Sequence, residues 1–117
     1  MPIEINQDKG AIIIDNHVIA TIAGVAAMES YGIVGMASKN AADGLFELLK
    51  FENLARGIEV IDEPTGVSIK LHVIIEYGVR ISTVAQNVID RVRFNIASLT
   101  DIEIDSIEVL VEDVRLN

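Results

Sequence analysis

A chain of 117 residues with no cysteine and a net charge of −9 is sized for one self-standing core, since folding at this length buries roughly two-thirds of the unfolded surface. The absence of thiols excludes disulfides, thiolate nucleophiles and thiolate metal sites, and fits a reducing cytoplasm. The negative charge opposes phosphate backbones and anionic headgroups, whose binding draws on Lys and Arg, so nucleic acid is not an expected partner. Met1-Pro2-Ile3-Glu4-Ile5 has no basic segment leading into an apolar stretch, so no signal peptide is expected. The longest uncharged run, His17 to Met28, falls short of the roughly 20 residues that span a bilayer, so direct membrane insertion is not expected either. Half of the residues are hydrophobic but only 4% are aromatic, which leaves the core to Ile, Val, Leu and Ala.

In chain order, Gly10 to Ile14 reads as a strand buried on both faces, and Asp15 and Asn16 supply acceptors to cap the helix after it. That helix runs from about His17 to Glu29. Val18, Ile19, Ile22, Val25 and Ala26 form its stripe, while Ala20, Gly24 and Ala27 make the other side apolar too, so burial all round is expected. Tyr31-Gly32 ends the helix, and Ile33 to Met36 is a short strand. Asp43 to Arg56, with Leu45, Phe46, Leu48, Leu49 and Leu54 among charges, predicts one or two turns of amphipathic helix. Ile58 to Ile61 is a strand joined through Glu63-Pro64-Thr65-Gly66, a type I turn sequence, to a long strand.

The long strand, Val67 to Tyr77, is the strongest local signal. Val67, Ile69, Leu71, Val73, Ile75 and Tyr77 alternate with Ser68, Lys70, His72, Ile74 and Glu76, giving an apolar face and a mostly polar one. Gly78 ends it, and a second helix spans about Ser82 to Leu99. Val84, Ala85, Val88, Ile89, Val92, Ile96 and Leu99 share one broad face of this helix, whereas Phe94 falls on the other side near Asn87 and Asp90. In the last strand Ile107, Val109 and Val111 oppose Glu108 and Glu112. The predicted class is α/β (α+β), a single domain over residues 1–117 in the order β-α-β-(short α)-β-β-α-β. Its two main helices pack on one face of a mixed sheet and leave a polar second face.

No catalytic constellation emerges. His17 and His72 have no convergent partners nearby in sequence, so capping or surface roles are expected of them. Glu103, Asp105, Glu108, Glu112 and Asp113 lack the fixed loop of a calcium site and read as a solvated face. Gly32-Ile33-Val34-Gly35 matches a G-x-x-G string, but Glu29, Tyr31 and Met36 flank it where a phosphate clamp would carry basic residues. No catalytic, metal or cofactor residue is therefore assigned. The candidate partner-binding residues are Phe94, Phe46, Phe51, Ala20, Gly24 and Ala27. For the last three, packing within the same subunit, against the second helix, is the favoured reading.

Three stretches together resemble the bacterial alkaline shock protein family, also called the Gls-type general-stress or envelope stress response family. They are Gly24-Val25-Ala26-Ala27-Met28-Glu29 with Gly32-Ile33-Val34-Gly35-Met36; Asp43-Gly44-Leu45 leading to Gly57-Ile58-Glu59-Val60; and Ile75-Glu76-Tyr77-Gly78-Val79 with the second helix. The resemblance covers about residues 8–112. It implies a small cytoplasmic protein of Gram-positive bacteria, tied to cell-envelope homeostasis and held near the membrane, if at all, by a separate anchor protein. It supplies no catalytic residues. Relatives commonly carry long charged tails, whereas this chain reaches Asn117 soon after its last strand, so tail-mediated roles are not expected. Relatives tend to be polar at the position of Phe94, which makes a contact there an expected feature of this branch. The expected function is non-enzymatic, through self-association or a protein partner. The alternative is a small-molecule or acyl-chain binding domain with its pocket between the 43–56 segment and the sheet.

Overall fold

A computed structural model describes residues 2–7, 10–37 and 51–116, without the side chains of Gln7 and residues 51–53. The elements are β1 (Ile3–Gln7), β2 (Gly10–Ile14), α1 (Asn16–Met28), β3 (Ile33–Met36), a 3-10 helix (Phe51–Gly57), β4 (Ile58–Glu63), β5 (Gly66–Glu76), α2 (Ile81–Thr100) and β6 (Ile104–Arg115). The fold is the expected α+β arrangement with a mixed sheet, preceded by a hairpin that the sequence did not foretell.

β5 is the axis of the main sheet. β6 pairs parallel with it from Val67↔Ile104 to Glu76↔Arg115, occupying one edge along its length. The other edge is shared: β4 pairs antiparallel from Glu63↔Gly66 to Ile58↔Leu71, and β3 continues it from Met36↔Val73 to Ile33↔Ile75. The two-residue connection Pro64-Thr65 fixes the β4–β5 register. Gly78, at φ +98°, turns the chain out of β5 toward α2, a backbone conformation that costs glycine nothing.

Period-two alternation aims Val67, Ile69, Leu71, Val73 and Ile75 at one face, where they join Ile19, Ala23, Ala26 and Ala27 of α1 and Val84, Val88, Val92 and Ile96 of α2 in one core. The Asp15 carboxylate caps α1 by accepting from the backbone N–H of His17 at 2.8 Å. At the far end of α2, Asp101 adopts a left-handed conformation (φ 61°), and Arg93 donates to the carbonyl of Ile104, tying the helix to the start of β6.

Burial departs from the sequence expectation in four places. β2 is not buried on both faces. It pairs with β1 in a separate two-stranded sheet whose register puts Ile3, Ile5, Ile12 and Ile14 on one face and Ile13 beside Glu4 on the other, so Ile13 stays 65% exposed. α1 is not buried all round. Its small-residue side is the interior one, while Val18 is exposed and Ile22 and Val25 are half-buried. Gly24 meets Leu54 and Ile58 rather than α2: a Cβ there would lie 3.0 Å from the Leu54 Cβ. On α2, Leu99 shares the angle of the buried stripe but is 70% exposed. Finally, His72 and Ile74 on the presumed polar face of β5 are buried.

Candidate functional site

The face of the sheet turned away from the helices carries one built polar cluster. Hairpin register sets Glu59 of β4 opposite Lys70, one step diagonal to His72. In β6 the pairing jumps from Val73↔Val111 to Ile74↔Asp113, so Glu112 is the extra residue of a β-bulge, a device that re-aims side chains. As a result His72 Nε2 lies 2.9 Å from Glu59 Oε2, and Nδ1 lies 2.6 Å from Glu112 Oε1. His72 is 8% exposed, and its backbone carbonyl accepts from Ala37 N–H at 2.9 Å. The two carboxylates sit at opposite ring nitrogens and do not converge on a common point. Among the described residues no group of three or more His, Asp or Glu side chains is placed to hold a metal ion. Next along this face, the Ser106 hydroxyl donates to the Ser68 hydroxyl at 3.0 Å.

Partner-type features lie elsewhere. Tyr31, just past α1, and Phe94, on the outer side of α2, line one groove of about 560 Å³ with Asn87, Asp90, Arg91 and Asn95. Both rings are presented to solvent, Tyr31 at 79% and Phe94 at 70% exposure. A second apolar patch gathers Tyr77, Ile81 and Val114 where β5 and β6 end, and it too is exposed. All three aromatic side chains among the described residues are thus outside the core, which is aliphatic.

Of the candidates read from sequence, Phe94 stands where the helical periodicity put it, near Asn87 and Asp90. Ala20, Gly24 and Ala27 lie inside the chain. Phe51 opens the 3-10 helix, with its side chain outside the described residues, and Phe46 lies outside them altogether. Residues 43–50, most of the segment to which the alternative acyl-chain pocket was assigned, also fall outside the described residues. The expected capping or surface role of His72 is corrected, since the ring is buried and its partners come from other strands. Tyr31 was read only as a helix terminator, and no spacing signal marks it as a neighbour of Phe94. Among the described residues no helix is long and apolar enough to cross a membrane.

A helix pair layered on a mixed sheet, with exposed aromatics, defines a small α+β module. The chain belongs to the alkaline shock protein 23 family, described as having a cell envelope-related function, whose sequence profile matches residues 4–116. It is 44% identical over 117 residues to the uncharacterised protein YloU of Bacillus subtilis (strain 168), covering 99% of this chain and 98% of that one. The uncharacterised protein Spy1614 of Streptococcus pyogenes serotype M6 is 38% identical over 117 residues, covering 99% and 97% of the two chains. A second Bacillus subtilis protein, YqhY, is 29% identical over 108 residues, 92% of this chain and 79% of that one. No solved structure matches the chain.

Proposed function

We propose that this family member serves the cell envelope as a non-enzymatic cytoplasmic module that works through a protein contact at the Tyr31–Phe94 groove, with a second copy or another protein as partner. The observation that carries this reading is the placement of Tyr31 and Phe94, both more than two-thirds exposed, in one groove together with Arg91. Two rings in water forgo the burial that stabilises every aliphatic core residue, and aromatic and Arg side chains are the groups that dominate binding at protein interfaces. The net charge of −9 favours a protein contact over nucleic acid or an anionic lipid surface, so any membrane proximity comes through a separate anchor protein.

The test combines light scattering across concentration with crosslinking and affinity purification from the native cell, using wild type and a Tyr31→Ser, Phe94→Asp double variant. The expected result is a self-association or a captured protein that the double variant loses while keeping its thermal unfolding midpoint. A wild-type monomer whose double variant retains every captured protein would overturn the proposal.

A further inference from the structure

We infer that Glu59, His72 and Glu112 form a proton-dependent clasp across β4, β5 and β6, closed when the imidazole carries protons on both nitrogens and opened as rising pH removes one of them. The hydrogen-bonding needs of the ring and its two carboxylates require this form. Each of the two N···O contacts, at 2.6 and 2.9 Å, needs a proton between its atoms, and an ionised carboxylate has none to give. A neutral ring donates from one nitrogen only. With two ionised glutamates, both contacts are satisfied when the ring is an imidazolium, and charge-assisted bonds of this kind are the short, strong ones. Removing one proton turns a hydrogen bond into a nitrogen lone pair facing a carboxylate, and it raises the net negative charge of the cluster from one to two.

The surroundings make that loss costly. The side chains of His72 and Glu112 are 10% and 17% exposed, whereas that of Glu59 is 40% exposed. The strong arm of the clasp is therefore the one to β6. On the same face, register places Lys70 of β5 between Glu59 of β4 and Glu108 of β6. Asp113 follows Glu112 in the bulge, with the Arg115 guanidinium at 3.0 Å, and Glu76 stands opposite Arg115. β3 and Ala37 bring no titratable side chain. Acidic groups thus outnumber basic ones around the ring among the described residues, so a second uncompensated negative charge meets repulsion. Among the described residues β6 pairs only with β5, and its ladder is interrupted at Glu112, which makes β6 the strand that loosens when the clasp opens. Because both bonds exist only in the two-proton form, their contribution to stability is present at lower pH and is lost as pH rises.

The experiment follows the ring nitrogens of His72 by nitrogen-15 NMR from about pH 6 to about pH 10, with thermal unfolding midpoints of wild type and Glu112→Gln over the same range. Both ring nitrogens are expected to carry protons while the two contacts persist. Loss of the second should coincide with a wild-type midpoint fall exceeding that of Glu112→Gln by about 4 °C or more. A ring with a single proton throughout the range, or parallel falls in the two proteins, would overturn the inference. Should Glu112→Gln not fold, Glu59→Gln at the more exposed arm takes its place in the comparison, with a smaller difference expected and a zero difference overturning.

Discussion

Glu112 and His72 are forty residues apart in sequence, yet Glu112 Oε1 lies 2.6 Å from His72 Nδ1, and Glu112 is the one residue of β6 that the β5 ladder skips at Val73/Ile74. The two arms of His72 are unequal, because the Glu112 side chain is 17% exposed and that of Glu59 is 40% exposed. Removing a buried partner leaves the imidazole nitrogen unsatisfied, so Glu112→Ala is expected to cost about 1–3 kcal/mol at neutral pH. At the Glu59 arm water replaces part of what is lost, and the expected cost of Glu59→Ala is below about 1 kcal/mol. Urea unfolding of both variants, at an unchanged slope, measures the pair; an equal or inverted ranking would contradict the geometry.

On α2 the interior face ends earlier than its apolar residues do. Ile96 is fully buried and Leu99 is 70% exposed. Ile96→Ala should therefore cost about 2–5 kcal/mol through lost burial and a cavity, and Leu99→Ala should stay within about 0.5 kcal/mol. Denaturant midpoints of the two variants decide it, and a Leu99→Ala loss as large as that of Ile96→Ala would place Leu99 in a contact the isolated chain does not show.

These residues also mark where the sequence was legible. Alternation over Val67 to Ile75 reported the strand and its interior face, because that pattern depends only on the backbone. Helical spacing placed Phe94 off the buried stripe for the same reason. What failed depended on neighbours. Leu99 has the right angle on α2 but finds no cover there and is exposed, and Gly10 to Ile14 looks like a core strand until β1 takes it into a separate hairpin. Half of the His72 cluster was within reach, since a two-residue turn at Pro64-Thr65 sets Glu59 against Lys70, one step diagonal to His72. The Glu112 half was not, because a parallel register with a bulge leaves no local trace in sequence.

The start of α1 rests on one side chain. Asp15 accepts from the His17 backbone N–H at 2.8 Å, and the first turn of the helix holds no acidic residue to share the work. Asp15→Ala is expected to lower stability by about 0.5–2 kcal/mol, and Asp15→Ser, which restores a capping oxygen, to recover most of it. Thermal or denaturant unfolding of the two variants measures the difference. Equal losses would show that the cap does not carry this helix start.

Gly24 tests whether the small-residue side of α1 is set by packing inside the chain. A Cβ at this position would stand 3.0 Å from the Leu54 Cβ, close enough that Leu54 must give by a few tenths of an ångström, and 3.4 Å from the Ile58 Cδ1, at the edge of ordinary contact. Leu54 and Ile58 are themselves almost fully buried, so neither has free space to retreat into. Gly24→Val therefore forces α1 away from the 3-10 helix and β4, at an expected cost of about 1–3 kcal/mol from overpacking. Gly24→Ala adds one carbon at the same tight distance and should cost less than Gly24→Val, because the higher helix propensity of Ala, worth about 1 kcal/mol over Gly, offsets part of the strain. Denaturant unfolding of the two variants, each checked for an unchanged slope, gives the ranking. A Gly24→Val variant as stable as wild type would mean that α1 does not approach Leu54 this closely, and the case for an intrachain role of Ala20, Gly24 and Ala27 would fall with it.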